Sequence, residues 1–174
     1  MTNTDVALVV PGTWRTTLAA VGALIILLNG NVAFAINPAP VQLFYVPFPE
    51  DQLLQGLQAI SGNTTPTNPV TTYISIAAIA SGTIIYYDQW ENGYDADIAN
   101  PANLYSGGNP GGTQIWGDGN TANGFPPGVP SDLINAGTVI ILNNNITTTN
   151  LTAIDFDGRD KVAATKSVSV THTA

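Results

Sequence analysis

Cysteine is absent from the 174 residues. That excludes a disulfide framework, thiol catalysis and any Cys-ligated zinc or iron–sulfur centre. Histidine occurs once, at His172, so a Ser-His-Asp triad would have to use a residue two from the end, and no HExxH helix can be written. Bases are nearly as scarce: 4 Lys and Arg face 12 Asp and Glu, a formal charge of -8. Nothing here could neutralise a phosphate backbone, which excludes nucleic-acid binding, and there is no GxxxxGK[ST] phosphate loop. Charged residues make up 9% of the chain, against about a quarter in an ordinary soluble domain. The hydrophobic share is 44%, so disorder driven by high charge is excluded as well.

The apolar run at residues 18–28 falls short of the roughly 20 residues needed to span a bilayer. With Arg15 before it and the small-x-small triplet Ala33-Phe34-Ala35 after it, it reads as the core of a cleaved secretory signal over residues 1–35. The mature chain is then a single β-rich domain at 36–174 with no membrane span left, expected outside the cell or on its surface. Residues 167–171 alternate as a strand and stop at the chain end, where polar coil is usual. This suggests a fragment of a longer protein, or a subunit that donates its last strand to a neighbour in a self-associating fibre.

What is present is β pattern and acid. Residues 41–46 read as a short strand. Residues 49–60 read as one amphipathic helix, with Leu53, Leu54, Leu57 and Ile60 on one face and Glu50 and Asp51 in the first turn. Residues 71–80 and 83–90 flank Ser81-Gly82 and predict a hairpin. Thr72, Ile74, Ile76 and Ala78 share a face of its first strand, and 83–87 is apolar on both faces, as in a central strand. Residues 92–130 form a long loop rich in Gly, Pro and Asn, with a short strand at 113–116. A further strand is expected at 137–142, a polar turn at 143–150, and a final pair at 151–156 and 161–173 around Asp157-Gly158. Short strands with one helix predict an all-β, β-sandwich-like fold.

The three bases left after signal removal, Arg159, Lys161 and Lys166, all lie near the C-terminus. Most acids therefore have no cationic neighbour in sequence. Acids gathered in one loop repel each other, and a bound cation relieves this, so calcium is the expected cofactor. Asp155, Asp157 and Asp160 surround a Gly like the start of a calcium loop, although Gly158 and Lys166 do not fit EF-hand positions. The bland alternative is an Asp-Gly hairpin turn with Asp155 or Asp160 paired to Arg159 or Lys161. Residues 86–97 hold four acids and four aromatics. Asp88, Asp95 and Asp97 are candidate metal ligands, with Asp118 from the segment WGDGN (116–120) joining them. Glu91 and Asp95 are the weak catalytic candidates, as the acid and base of a glycosidase. Trp90, Tyr94 and Trp116 are the candidate platforms for a sugar ring. In the bland alternative, the aromatics finish the core while the acids face water. Asn63, Asn145 and Asn150 fit the N-glycosylation pattern, which matters only in a eukaryotic secretory pathway.

The blocks FYVPFPED (44–51), IYYDQWENGYD (85–95), WGDG (116–119) and DFDGRDK (155–161) together resemble the N-terminal module of large exported bacterial surface proteins. Those proteins often continue into immunoglobulin-like or other β-sandwich repeats. The resemblance implies a cell-surface or matrix setting and brings no activity with it. Three functions stay open: a structural or adhesive module holding calcium, a carbohydrate-binding or carbohydrate-cleaving domain, and a strand-exchanging fibre subunit.

Overall fold

The computed structural model describes residues 37–60, 69–149 and 155–174. The expected signal segment and the glycosylation motifs beginning at Asn63 and Asn150 lie outside the described residues. The elements run β1 (Gln42–Tyr45), α1 (Glu50–Ile60), β2 (Val70–Ala78), β3 (Ile85–Asp88), β4 (Gln114–Trp116), β5 (Val139–Ile146), β6 (Lys161–Ala164) and β7 (Val168–Thr173). Short 3-10 turns occupy Trp90–Asn92 and Thr121–Asn123. The strands form two antiparallel sheets, one ordered β1-β6-β3-β4 and the other β5-β2-β7. Among the described residues the secondary structure is therefore mostly strand with a single short helix, an all-β sandwich-like fold.

The two sheets meet through residues whose spacing dictates it. Thr72, Ile74, Ile76 and Ala78 all point inward from β2, as period-two alternation requires. Ile140 and Leu142 of β5 join them, facing Ile85 and Tyr87 of β3, Val162 and Ala164 of β6, and Trp116 of β4. Trp116 is fully buried and stacks on Tyr87 with ring centroids 4.9 Å apart. β3 and β6 are buried on both faces. Their outer faces carry Tyr86 and Ala163, and together with Ile115 these are covered by Ile98 and Ala99 from the long loop. The loop at 92–113 is thus a lid over one sheet, and its apolar residues explain why the loop is ordered.

Several expectations about partners fail. The segments at 71–80 and 83–90 do not form a hairpin: β2 and β3 belong to different sheets. A hairpin would have left Tyr86 on the same wet side as Tyr73; crossing over places it beneath the loop. Gly82 instead donates its N–H to Ile134 O at 2.8 Å, and Lys166 Nζ reaches Ser81 O at 2.6 Å. The run at 161–173 is likewise two strands, β6 and β7, split between the sheets. Of the strand expected at 151–156, residues 151–154 lie outside the described residues, and Asp155 and Phe156 are not in a strand. The polar turn expected at 143–150 begins late, because β5 continues to Ile146 and Asn145 accepts a hydrogen bond from Thr71 at 2.9 Å. The last strand, β7, pairs with β2 inside its own sheet.

The helix forms where expected, but its seating differs. Only Leu54 of the apolar face is buried; Leu53 and Leu57 are about half exposed, and Ile60 is 84% exposed. Glu50 and Asp51, in the first turn as expected, are buried. The helix is held by its first turn, whose carboxylates find donors inside the protein.

Candidate functional site

Three segments converge at one end of the sandwich. The first is the turn before α1, where Phe48 takes a left-handed φ of 59°. The second is the 3-10 turn after β3, carrying Gln89, Trp90 and Glu91. The third is the turn at 155–160, where Arg159 has φ 79°. The first and third turns dock backbone to backbone: Arg159 donates to Val46 O at 2.7 Å and Val46 donates to Asp160 O at 2.8 Å. Gly158 fits because it has no side chain; a Cβ there would lie 2.0 Å from Phe48 O. Two non-glycine residues in the left-handed region beside one cluster mark backbone held by its surroundings.

The result is a pocket of acid with few donors. Tyr87 OH donates to Asp160 Oδ2 at 2.6 Å, and Trp90 Nε1 donates to Asp157 Oδ1 at 3.3 Å. Against these stand five buried oxygens without a hydrogen-bond partner among the described residues: Gln89 Oε1, both carboxyl oxygens of Glu91, Asp155 Oδ2 and Asp160 Oδ1. Burial, then the charges of Asp157, Asp155 and Asp51, pushes the Glu91 carboxyl up to about 8. Burial and Glu50 push Asp157 up to about 7. Burial, with Asp157 and Glu91 behind it, holds Asp160 well above the carboxylate range. The nearby cation, Arg159, is already engaged: its guanidinium stacks on the Trp90 ring at 4.1 Å and faces Asp51 at 3.7 Å.

The structure therefore brings the acids at 155–160 to Glu91, and not to Asp95 or Asp118. Asp155 and Asp160 are not paired with Arg159 or Lys161 across a hairpin. Lys161 instead pairs with Asp88 at 3.1 Å and donates to Asp95 O at 2.6 Å. Asp88 also accepts the Asp95 N–H at 2.9 Å. Asp95 is the anchor of the long loop. Its Oδ1 accepts from Ala102 and Asn103 at 2.8 and 3.2 Å, and its Oδ2 accepts from the Thr113 hydroxyl at 2.6 Å. Both Asp95 oxygens are thus engaged in holding the loop. Asp97 is exposed and caps Ala99 and Asn100, and the Asn100 amide holds it below the usual carboxylate value. Asp118 caps Asn120 and accepts from Asn123. Its neighbour is Asp132, which accepts from Gly117 and Gly119 at 2.7 and 2.9 Å. Burial, with the Asp118 carboxyl adding to it, raises Asp132 to about 6. Among the described residues, no group of three or more His, Asp or Glu side chains is positioned as a ready-made metal site.

The aromatics divide as well. Trp116 is core, its face covered by Tyr87, and so is no sugar platform. Trp90 is partly buried beneath Arg159. Tyr94 is 45% exposed. It borders an open cleft of about 550 Å³, lined by Asn92, Gly93, Asp95, Asn103, Asn109 and the Pro110-Gly111 segment.

Sequence reasoning did not anticipate the role of His172. Its Nε2 lies 2.6 Å from Glu50 Oε1 and 2.7 Å from Thr72 Oγ1, and Thr72 donates to Glu50 Oε1 at 2.5 Å. The other Glu50 oxygen accepts the Gly158 N–H at 2.5 Å. Acid and hydroxyl share one ring nitrogen, while Nδ1 is buried without a partner, so this is not the relay order of a hydrolase triad.

In comparisons with protein-family models, curated proteins and solved structures, nothing matches this chain. Among the described residues no helix is long and apolar enough to cross a membrane.

Proposed function

We propose that the chain is an exported structural or adhesive module of a cell surface or extracellular matrix, and that its acid cluster holds calcium. The observation that carries the reading is the set of donorless buried oxygens on Gln89, Glu91, Asp155 and Asp160. Calcium takes six to eight hard oxygen ligands from flexible loops, and carboxylates and an amide from two separate turns are that chemistry. The signal-like first 35 residues, the nearly uncharged Thr- and Asn-rich scaffold and the resemblance to exported surface modules support the setting outside the cell.

The test is thermal unfolding of the full chain at pH 7.5 in calcium and in chelator. An ion bound only by the folded state adds stability by mass action, about 2.7 kcal/mol at a hundredfold excess over Kd. We expect a higher Tm in calcium and no such rise in Glu91→Gln. An unchanged Tm, or an equal rise in the variant, would sink the calcium reading.

A further inference from the structure

We propose that the cleft beside Tyr94 is a binding site for a neutral sugar, separate from the acid cluster. Its size falls within the roughly 300–1,000 Å³ of small-molecule sites, and its wall chemistry is unusual for this acidic chain. The one charged residue lining it is Asp95, whose carboxylate is occupied by two backbone N–H groups and the Thr113 hydroxyl. The walls thus present no free charge, which disfavours anions and cations alike.

What the walls do present is amide. Asn109 Nδ2 donates to Asn103 Oδ1 at 2.7 Å and to Leu104 O at 2.9 Å. That leaves the Asn103 NH₂ group and the Asn109 carbonyl oxygen for a ligand. Asn92 is exposed and brings a whole amide to the rim. Donors and acceptors interleaved on one surface match hydroxyl groups, each of which both donates and accepts. Tyr94 adds an apolar wall for the C–H face of a pyranose ring. A mono- or disaccharide fits these features better than a peptide, whose recognition here would need an open strand edge or an apolar anchor pocket.

The cleft is also built before any ligand arrives. Tyr94 OH donates to Arg159 O, and Lys161 Nζ sits 5.0 Å from the Tyr94 ring centroid. The opposite wall is tied by the bridge between Leu104 and Thr113 and by the turn between Ser106 and Asn109. Gly112 lets those two strands of loop touch, since a Cβ there would meet Leu104 backbone at 2.4 Å. A preformed site loses little ordering entropy on binding.

The experiment is saturation-transfer NMR of the full chain with neutral gluco-, manno-, xylo- and galacto-oligosaccharides at millimolar concentration, beside an oligogalacturonate. At least one neutral sugar should bind. Asn92→Ala, which removes no hydrogen bond of the fold, should weaken it about tenfold with Tm unchanged. Tyr94→Ala should weaken it at least as much. No binding by any neutral sugar would overturn the proposal. So would a preference for the uronate, or affinity unchanged in both variants.

Discussion

His172 Nε2 lies 2.6 Å from Glu50 Oε1, joining residues 122 apart in sequence. Through this contact the last strand of one sheet grips the first turn of the only described helix. Glu50 completes the tie by accepting from Thr72 and from Gly158 of the acidic turn. One fully buried carboxylate therefore connects a helix, two strands of one sheet and the turn that leads into the other.

Glu50→Ala should destabilise the fold by about 1–3 kcal/mol, because it leaves the Gly158 N–H buried without an acceptor and leaves the Thr72 hydroxyl and the His172 ring with only each other. Urea denaturation measures this. A loss below about 1 kcal/mol would show that the network contributes little.

The acid cluster sets a pH dependence whose sign follows from its raised pKa values. Glu91 moves from 4.5 to about 8 and Asp157 from 3.8 to about 7. The folded chain then holds protons that the unfolded chain has released, so stability falls as pH rises through this window. Without calcium, Tm should decline steadily from pH 4.5 to pH 8. Calcium replaces those protons, so the Tm difference between calcium and chelator should widen over the same range. A calcium-free Tm that rises with pH across the window would contradict this assignment.

Gly158→Ala should cost about 1–3 kcal/mol, since the added methyl meets Phe48 O at 2.0 Å and Glu50 Oε2 at 2.6 Å. It should also weaken calcium binding, because the turn that carries Asp157 and Asp160 must move. Calorimetry and a calcium titration of the same variant give both readouts. Unchanged stability would mean that the turn relaxes freely.

Asp95→Ala should loosen the long loop while leaving the sandwich folded. The carboxylate holds Ala102, Asn103 and Thr113, and each lost bond exposes a donor worth about 1–3 kcal/mol if it stays buried. Hydrogen exchange should quicken at Ala102 and Asn103 and stay slow in β2. Equal protection in both proteins would remove Asp95 as the anchor.

Much of the element pattern was legible from local periodicity. The inward row Thr72, Ile74, Ile76 and Ala78 follows from alternation, and the burial of Ile85 and Tyr86 on opposite faces of β3 follows from a run without polar residues. Partnership was not legible. Nothing near Ser81-Gly82 says that the next strand joins another sheet, where Ile98 and Ala99 pack with Tyr86. The site divides in the same way. The acids at 155–160 stood out by density, and so did Trp90 and Glu91 within their aromatic block, but their meeting depends on the backbone docking of Val46 to Arg159 and Asp160. Glu50 and Asp51 were legible as first-turn acids but their burial was not, because Gly158, His172 and Arg159, which engage them, lie more than a hundred positions away. Asp95 looked like a ligand because a carboxylate that organises its own loop has the same local sequence as one that binds an ion.

The sheet order also has a kinetic side. β2 takes its hydrogen bonds from β5 and β7, and β1 takes its from β6. Neither sheet is complete until residues 161–173 have been made, although β2 can pair with β5 and β3 with β4 before then. Loop closure must come before most of the stabilising contact. Folding should be slow, and it should be cooperative over the whole sandwich and not stepwise from the N-terminus.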